Sequence, residues 1–176
     1  MDFDLIAILA GVAFVAGFVD SIAGGGGLLA LPALLVAGLD PVSALATNKL
    51  QGSFGTGSAV IAYARQRHID FRRSLPMVAT TFAGAVLGVL AVKFAPTALL
   101  SAILPVLLIV MAIYFALSRR LSNEDARPRM SERAFTFSVA PALGFYDGIF
   151  GPGVGSFFLL GFVTLLGFSV LRASAH

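Results

Sequence analysis

Three ionisable residues, Asp20, Lys49 and Asp147, stand in or beside apolar sequence, while nearly all the other charges fall in polar loops. An ionised side chain at membrane depth costs roughly 2.5–3.5 kcal/mol even on the lenient insertion scale, so it normally faces protein or water. Each of the three is therefore a candidate for chemistry. Lys49 belongs to Thr47-Asn48-Lys49-Leu50-Gln51-Gly52, with Ser53, Gly55, Thr56, Gly57 and Ser58 behind it. Its ammonium can neutralise a substrate anion, and Thr47, Asn48 and Gln51 can donate the hydrogen bonds that hold one. The plainer alternative is that Lys49 snorkels to an interface, since it lies about two helical turns from Pro41.

Asp20 and Asp147 recur at matched positions. Gly17-Phe18-Val19-Asp20-Ser21-Ile22-Ala23-Gly24-Gly25-Gly26 returns as Gly144-Phe145-Tyr146-Asp147-Gly148-Ile149-Phe150-Gly151-Pro152-Gly153. Two roles compete for each carboxylate: capping the N–H groups of the helix that follows, or titrating and so coupling protons to transport. Gly24, Gly25 and Gly26 in the first copy, and Gly151 and Gly153 in the second, expose unwound backbone beside a helix N-terminus. There the N–H groups and the positive dipole end favour an anion. Tight helix crossing through small residues is the structural alternative. Neither copy continues into Gly-Lys-Ser/Thr, and Gly52-Ser53-Phe54-Gly55-Thr56-Gly57 is not the dinucleotide pattern after a soluble strand, so nucleotide-binding loops are rejected.

The elements that must position these residues are set by composition. Hydrophobic residues make up 58% and charged ones only 12% of the 176, and mean hydropathy is +0.94, which describes an integral membrane protein. The net charge of +3 does not point to nucleic acid, because most basic residues fall in two short clusters between apolar stretches. With no cysteine and two histidines, disulfides and thiolate sites are excluded and no metal or other cofactor is expected. The acidic start, Met1-Asp2-Phe3-Asp4, reads as a retained helix and not as a cleaved signal.

Apolar stretches run over Leu5–Val19, Leu28–Gly38, Val42–Ala64, Leu75–Phe94, Thr97–Leu117, Ala134–Tyr146 and Phe157–Phe168. A straight crossing needs about 20 residues, so Leu28–Gly38 and Phe157–Phe168 are expected to enter the bilayer as half-helices without crossing it. Asp40-Pro41, Ser74-Leu75-Pro76 and Ala95-Pro96 place proline near helix starts, whereas Pro32 and Pro105 lie inside apolar stretches. Gly84-Ala85-Val86-Leu87-Gly88 is a small-xxx-small pair suited to helix packing. With a slip of two residues, Gly38 falls opposite Gly167, and Ala44-Leu45-Ala46-Thr47 opposite Ala173-Ser174-Ala175-His176.

Arg65, Arg67, Arg72 and Arg73, near His68, form one basic loop. Arg119, Arg120, Arg127, Arg129 and Arg133 populate a longer one with Asn123, Glu124 and Asp125. Both belong on the cytoplasmic side by the positive-inside rule, with Tyr63 and Tyr114 at the interface before them. The two spans between the loops leave the cytoplasm and return. Counting back with every earlier segment crossing, the first repeat starts outside and the second inside, so inverted repeats are expected. If the short segments are re-entrant, both signs change together, and the inversion holds where the last helix of each repeat compensates for the lost crossing.

Gly17 to Gly27, then Leu31-Pro32, then Ala46-Thr47-Asn48-Lys49 resemble the sulfite exporter TauE/SafE family. The likeness covers essentially the whole chain, and the combination of Asp-x-x-x-Gly-Gly-Gly with Thr-Asn-Lys is fairly specific to it. The resemblance implies a multi-pass carrier in the bacterial cytoplasmic membrane for sulfur-containing anions such as sulfite and sulfonates. It also implies two homologous halves and a length about half as great again as this chain. Pro152 and Val154 depart from the pattern and set the second copy apart from the first.

The resulting expectation is an all-α membrane protein with two homologous, inverted repeats, the first over residues 1–127 and the second starting at 128–176. The second repeat is expected to be cut, with a missing polar cluster that places a basic residue two positions after His176. The expected function is transport, by export, of a small anion through a site built from Asp20, Gly24, Gly25, Gly26, Thr47, Asn48, Lys49, Gln51, Asp147, Gly151 and Gly153. An anion channel is the rival from another class. A membrane-embedded enzyme lacks a nucleophile–base pair or metal cluster to support it. The expected partners are the lipid bilayer and the anion, with self-association compatible with the sequence.

The topology is directly testable, because single cysteines can be introduced into a chain that has none. An impermeant maleimide should leave cysteines in both basic loops unlabelled in intact spheroplasts and label them after permeabilisation; labelling of either loop in intact cells refutes the arrangement.

Overall fold

The computed structural model describes residues 3–65, 71–117, 127–170 and 173. Among these, the chain forms helices α1 Phe3–Ala23, α2 Gly27–Val36, α3 Pro41–Arg65, α4 Phe71–Phe94, α5 Thr97–Leu117, α6 Glu132–Ile149 and α7 Val154–Thr164, with no strand. Three windows are long and apolar enough to cross a membrane: Phe3–Ser21, Arg72–Phe94 and Thr97–Tyr114. Few of their residues are buried inside the protein. Phe14 is 78% and Phe82 69% exposed, an arrangement that only a lipid environment makes favourable. The protein is thus an all-α membrane protein. Helices α2 and α7 have 10 and 11 residues, rising about 15–17 Å, roughly half the hydrocarbon thickness.

Helix boundaries follow local chemistry. Asp40 caps α3, its Oδ1 accepting from the N–H groups of Val42 and Ser43 at 3.1 Å each, with Pro41 at the first helical position. Hydrogen bonds, led by that from the Ser43 side chain, hold the Asp40 carboxyl below its usual range. Helix α4 begins at Phe71, so Arg72 and Arg73 belong to its first turn and not to a loop, and Pro76 lies inside the helix and not at its start. Arg133 likewise belongs to the first turn of α6. Apolar windows missed these turns because long basic side chains extend a helix past its hydrophobic segment into the headgroup region. Arg67, His68, Arg119, Arg120, Asn123, Glu124, Asp125 and His176 lie outside the described residues.

The described residues fall into two compact units. One comprises Met1–Ala59, Ala95–Ser118 and Phe150–Gly153. Its core is built around the short helix: Leu31 of α2 packs with Ala44 and Leu45 of α3 and Leu104 and Leu108 of α5, and Leu28, Leu34, Leu35 and Phe150 close around them. Half of a crossing is thereby wrapped in apolar protein, and its backbone ends must find partners inside the fold.

The other unit comprises Val60–Phe94, Arg119–Ile149 and Val154–His176. Helices α4 and α6 cross through interlocking small residues. A Cβ on Gly84 would stand 2.1 Å from the Pro141 carbonyl oxygen, on Gly144 2.1 Å from that of Thr81, and on Gly148 2.2 Å from that of Ala85. The Gly84–Gly88 pair thus meets Gly144–Gly148 of the second signature. The contacts advance in the same direction along both helices, so α4 and α6 are parallel. Their first turns are joined by a two-pronged Arg73–Glu132 ion pair, with Nε to Oε2 at 2.9 Å, and Thr80 donates to the Thr136 carbonyl at 2.7 Å. The N-terminal ends of α4 and α6, which follow the two basic segments, therefore lie on one side.

Helix α7 folds back along α6. Phe162 packs on Phe135 with ring centroids 5.2 Å apart, and the Leu165 carbonyl accepts from the N–H groups of Arg129 and Met130 at 2.8 and 3.0 Å. The end of the short helix has returned to the start of the long one, so the pair enters and leaves by the same end. Both short helices stop at a glycine of positive φ, Gly38 at 88° and Gly167 at 71°. Leu39 N–H bonds to the Leu34 carbonyl and Phe168 N–H to that of Phe162, a closure one residue wider in the second copy. With α7 also one residue longer than α2, the two-residue slip between the repeats is accounted for.

Gly148→Leu should lower the thermal midpoint of the detergent-purified protein by the equivalent of about 1–3 kcal/mol or more, since the new side chain must displace backbone. Gly11→Ala, with nothing within 4 Å of its Cβ position, should be neutral or slightly stabilising. Equal midpoints for the two variants contradict the crossing.

Candidate functional site

The first unit gathers most of the sequence-predicted residues around the N-terminus of α2. Helix α1 brings Gly17 and Asp20. Helix α3 brings Asn48, Gln51, Gly52 and Gly55, whose spacing of three, four and seven puts them along one face. The approach is close: a Cβ on Gly55 would lie 3.1 Å from both the Asp20 Cβ and the Gly17 carbonyl oxygen. Gln51 Nε2 donates to the Ala13 carbonyl at 3.1 Å.

After α1 the chain turns at Gly24, φ 67°, and brings Gly26 back against its own helix. Asp20 Oδ1 accepts from Gly26 N–H at 2.7 Å, so a carboxylate sits at the positive end of α2, where charge and dipole are complementary. A Cβ on Gly26 would stand 2.0 Å from the Ala16 carbonyl oxygen and 2.7 Å from Asp20 Cγ, so no other residue fits.

The next residue makes the junction. The Cβ position of Gly27 is 3.0 Å from Asn48 Nδ2, 3.3 Å from Asn48 Oδ1 and 3.2 Å from Pro152 Cα. The start of α2, the Thr-Asn-Lys helix and the second glycine run, Gly151-Pro152-Gly153, thus meet at one point. Asn48 is only 6% exposed. Its Oδ1 and the Oε1 of Gln51 are sealed from solvent with no hydrogen-bond partner. Pro152 is fully buried. It was overlooked as a site residue because it read as an interruption of the glycine pattern, whereas its position opposite Gly25 in the duplication marked it.

Other predicted residues stand apart from this junction. Thr47 is on the exposed side of α3, and Lys49 is half-buried between the two faces, its carbonyl accepting from Ser53 Oγ at 2.8 Å. Asp147 belongs to the second unit, half-buried on α6 beside Gly148 of the helix crossing. Its neighbour Tyr146 packs edge-on to Phe157 at 5.6 Å. Among the described residues no group of three His, Cys, Asp or Glu side chains could hold a metal.

Long lipid-facing helices interrupted by short ones, one of which starts in a buried polar cluster, define an integral membrane protein with discontinuous helices. The family model described as sulfite exporter TauE/SafE matches residues 9–176. The chain is 53% identical over 174 residues to a probable membrane transporter protein, ORF9, of Sinorhizobium sp., covering 99% of this chain and 67% of the relative. It is 46% identical over 172 residues to the probable membrane transporter protein YfcA of Escherichia coli strain K12, covering 98% and 64%. A probable membrane transporter protein of Haemophilus influenzae is 45% identical, covering 98% and 68%. No solved structure matches. The chain belongs to the sulfite exporter TauE/SafE family of membrane transporters, and it spans about two thirds of the length of these relatives.

Asp20→Ala should destabilise the protein by about 1–2 kcal/mol through loss of the bond to Gly26, and Asp20→Asn by less because it keeps an acceptor oxygen. Thermal midpoints of the two variants measure this; no loss in Asp20→Ala contradicts a role for the carboxylate at the start of α2.

Proposed function

We propose that this chain supplies most of a carrier that moves small anions, with sulfur oxyanions such as sulfite or organosulfonates as cargo, out across the bacterial cytoplasmic membrane. One observation carries the reading: the N-terminus of α2, the second glycine run and Asn48 meet at Gly27. A helix N-terminus within an apolar core offers oriented N–H groups and a positive potential that only an anion or a carboxylate satisfies. Asp20 engages Gly26, which leaves Gly27, together with the second run, as backbone for an anion. Lys49, one position from Asn48, supplies the positive charge.

Alternating access follows if the repeats are inverted. Helix α3 ends at Arg65 beside one basic segment, and α6 starts beside the other, parallel to α4. If α1 and α2 fold back on each other as α6 and α7 do, the first pair enters from outside and the second from the cytoplasm. The repeats over 1–127 and from 128 onward are then oppositely oriented copies of one device. Asp147 holds in the second copy the place of Asp20, with capping or proton coupling as its role. A channel would use the same backbone without alternating access; saturable exchange of labelled for unlabelled anion separates the two.

In liposomes containing the protein extended to its relatives' full length, Lys49→Ala should cut anion flux roughly tenfold or more while insertion is unchanged. Lys49→Arg should rescue poorly, because a planar fork does not replace a compact ammonium. Wild-type flux in Lys49→Ala leaves snorkelling as the role of Lys49.

A further inference from the structure

Two oxygens in the first unit, Asn48 Oδ1 and Gln51 Oε1, are buried without a donor. A buried acceptor left unpaired costs about 1–3 kcal/mol, and native folds contain few. The orientation of Gln51 is fixed by its neighbour: Nε2 must face the Ala13 carbonyl, which it meets at 3.1 Å, so Oε1 is the end turned away from that carbonyl. Asn48 sits one turn earlier on the same face of α3, where side chains three apart are about 5–6 Å from each other at Cβ. Both oxygens can therefore reach one small ligand.

Asp20 lies against the same stretch of α3. Its Oδ2 is 3.6 Å from the Cβ position of Gly52 and its Cβ is 3.1 Å from that of Gly55. The other carboxylate oxygen is engaged by Gly26 N–H, so the negative charge stands against the dipole of α2 and offsets its repulsion of a cation. Lys49, the sequence neighbour of Asn48, is half-buried between the two faces of α3.

The donor set decides the ligand class. Two carboxamide oxygens and a carboxylate are acceptors only, so they do not bind an anion; they suit a hard cation. A single carboxylate balances one positive charge and falls short of the several that divalent sites collect. We propose that Asp20, Asn48 and Gln51 form a binding site for a small monovalent cation, with sodium as the ion that drives transport. The cation would occupy the α1–α3 face beside the glycine junction, so that it and an anion cargo favour each other's binding through their opposite charges. The site goes beyond the anion reading and stands without it, because cation binding is measured in the absence of cargo.

The probe is sodium, on the protein extended to its relatives' full length and purified in detergent. Its thermal midpoint should rise by a few degrees in sodium chloride relative to N-methylglucamine chloride of equal ionic strength, and radiolabelled sodium should bind saturably. Asn48→Ala and Gln51→Ala should each weaken sodium binding roughly tenfold or more. Asn48→Asp, which keeps the oxygen and adds a charge, should retain or tighten it, and this variant decides the matter if Asn48→Ala does not fold. Equal midpoints in the two salts without saturable sodium binding, or unchanged affinity in both alanine variants, overturn the site. Anion flux in liposomes is read separately: flux that persists when sodium is replaced on both sides overturns the driving role and leaves anion transport standing.

Discussion

A helix that stops inside a bilayer leaves its first N–H groups and its last carbonyls where no water can reach them, and most of this structure is an answer to that constraint. At the start of α2 the answer is a carboxylate from the preceding helix, Asp20 on Gly26 N–H. At its end it is a left-handed glycine, Gly38, which lets Leu39 N–H return to the Leu34 carbonyl. At the end of α7 the Leu165 carbonyl is taken by the amides ahead of α6. Leu31, buried between α3 and α5, supplies the apolar contact that holds the short helix in place.

Satisfying those ends demands close backbone approach, and close approach demands glycine. The Cβ positions of Gly26, Gly84, Gly144 and Gly148 all fall within 2.2 Å of a carbonyl oxygen on a neighbouring segment or on the preceding helix, so substitution there moves backbone and not merely side chains. Because lipid gives helices no hydrophobic reason to associate, such contacts together with the Arg73–Glu132 and Thr80–Thr136 bonds define the α4–α6 pair. The same residue type therefore serves two ends, helix crossing at Gly144 and Gly148 and a buried, closely packed helix start at Gly26 and Gly27.

That double use explains what the sequence could and could not reveal. The seven helices α1–α7 of the described residues, the two short ones among them, and the Asp40-Pro41 start of α3 were legible because length, hydropathy and capping chemistry are local. The partner of Gly84–Gly88 was not, since small-xxx-small marks a packing face without saying which helix fills it, and the answer lay inside the second signature. The first turns of α4 and α6 were lost to apolar windows that exclude arginine. Within the site residues, Thr47, Asn48, Lys49 and Gln51 form one polar run in sequence, yet helical rotation sends Asn48 inward and Thr47 outward. Pro152 escaped notice because its contribution is a contact made by backbone and not by a reactive group.

The two copies share their local device but not their surroundings. In each, a long helix carries a glycine and an aspartate, turns at a glycine of positive φ, Gly24 or Gly151, and starts a short helix three residues later. The first copy then receives Asn48 and Pro152 at its helix start, while Gly144 and Gly148 of the second commit its long helix to α4. Gly25 of the first run corresponds to Pro152 of the second, and it is the Pro152 Cα that meets the buried junction at Gly27. The copies differ at Val19/Tyr146, Ser21/Gly148, Ala23/Phe150 and Gly25/Pro152, and two of these differences carry the contacts that set the copies apart, Gly148 in the crossing with α4 and Pro152 at Gly27.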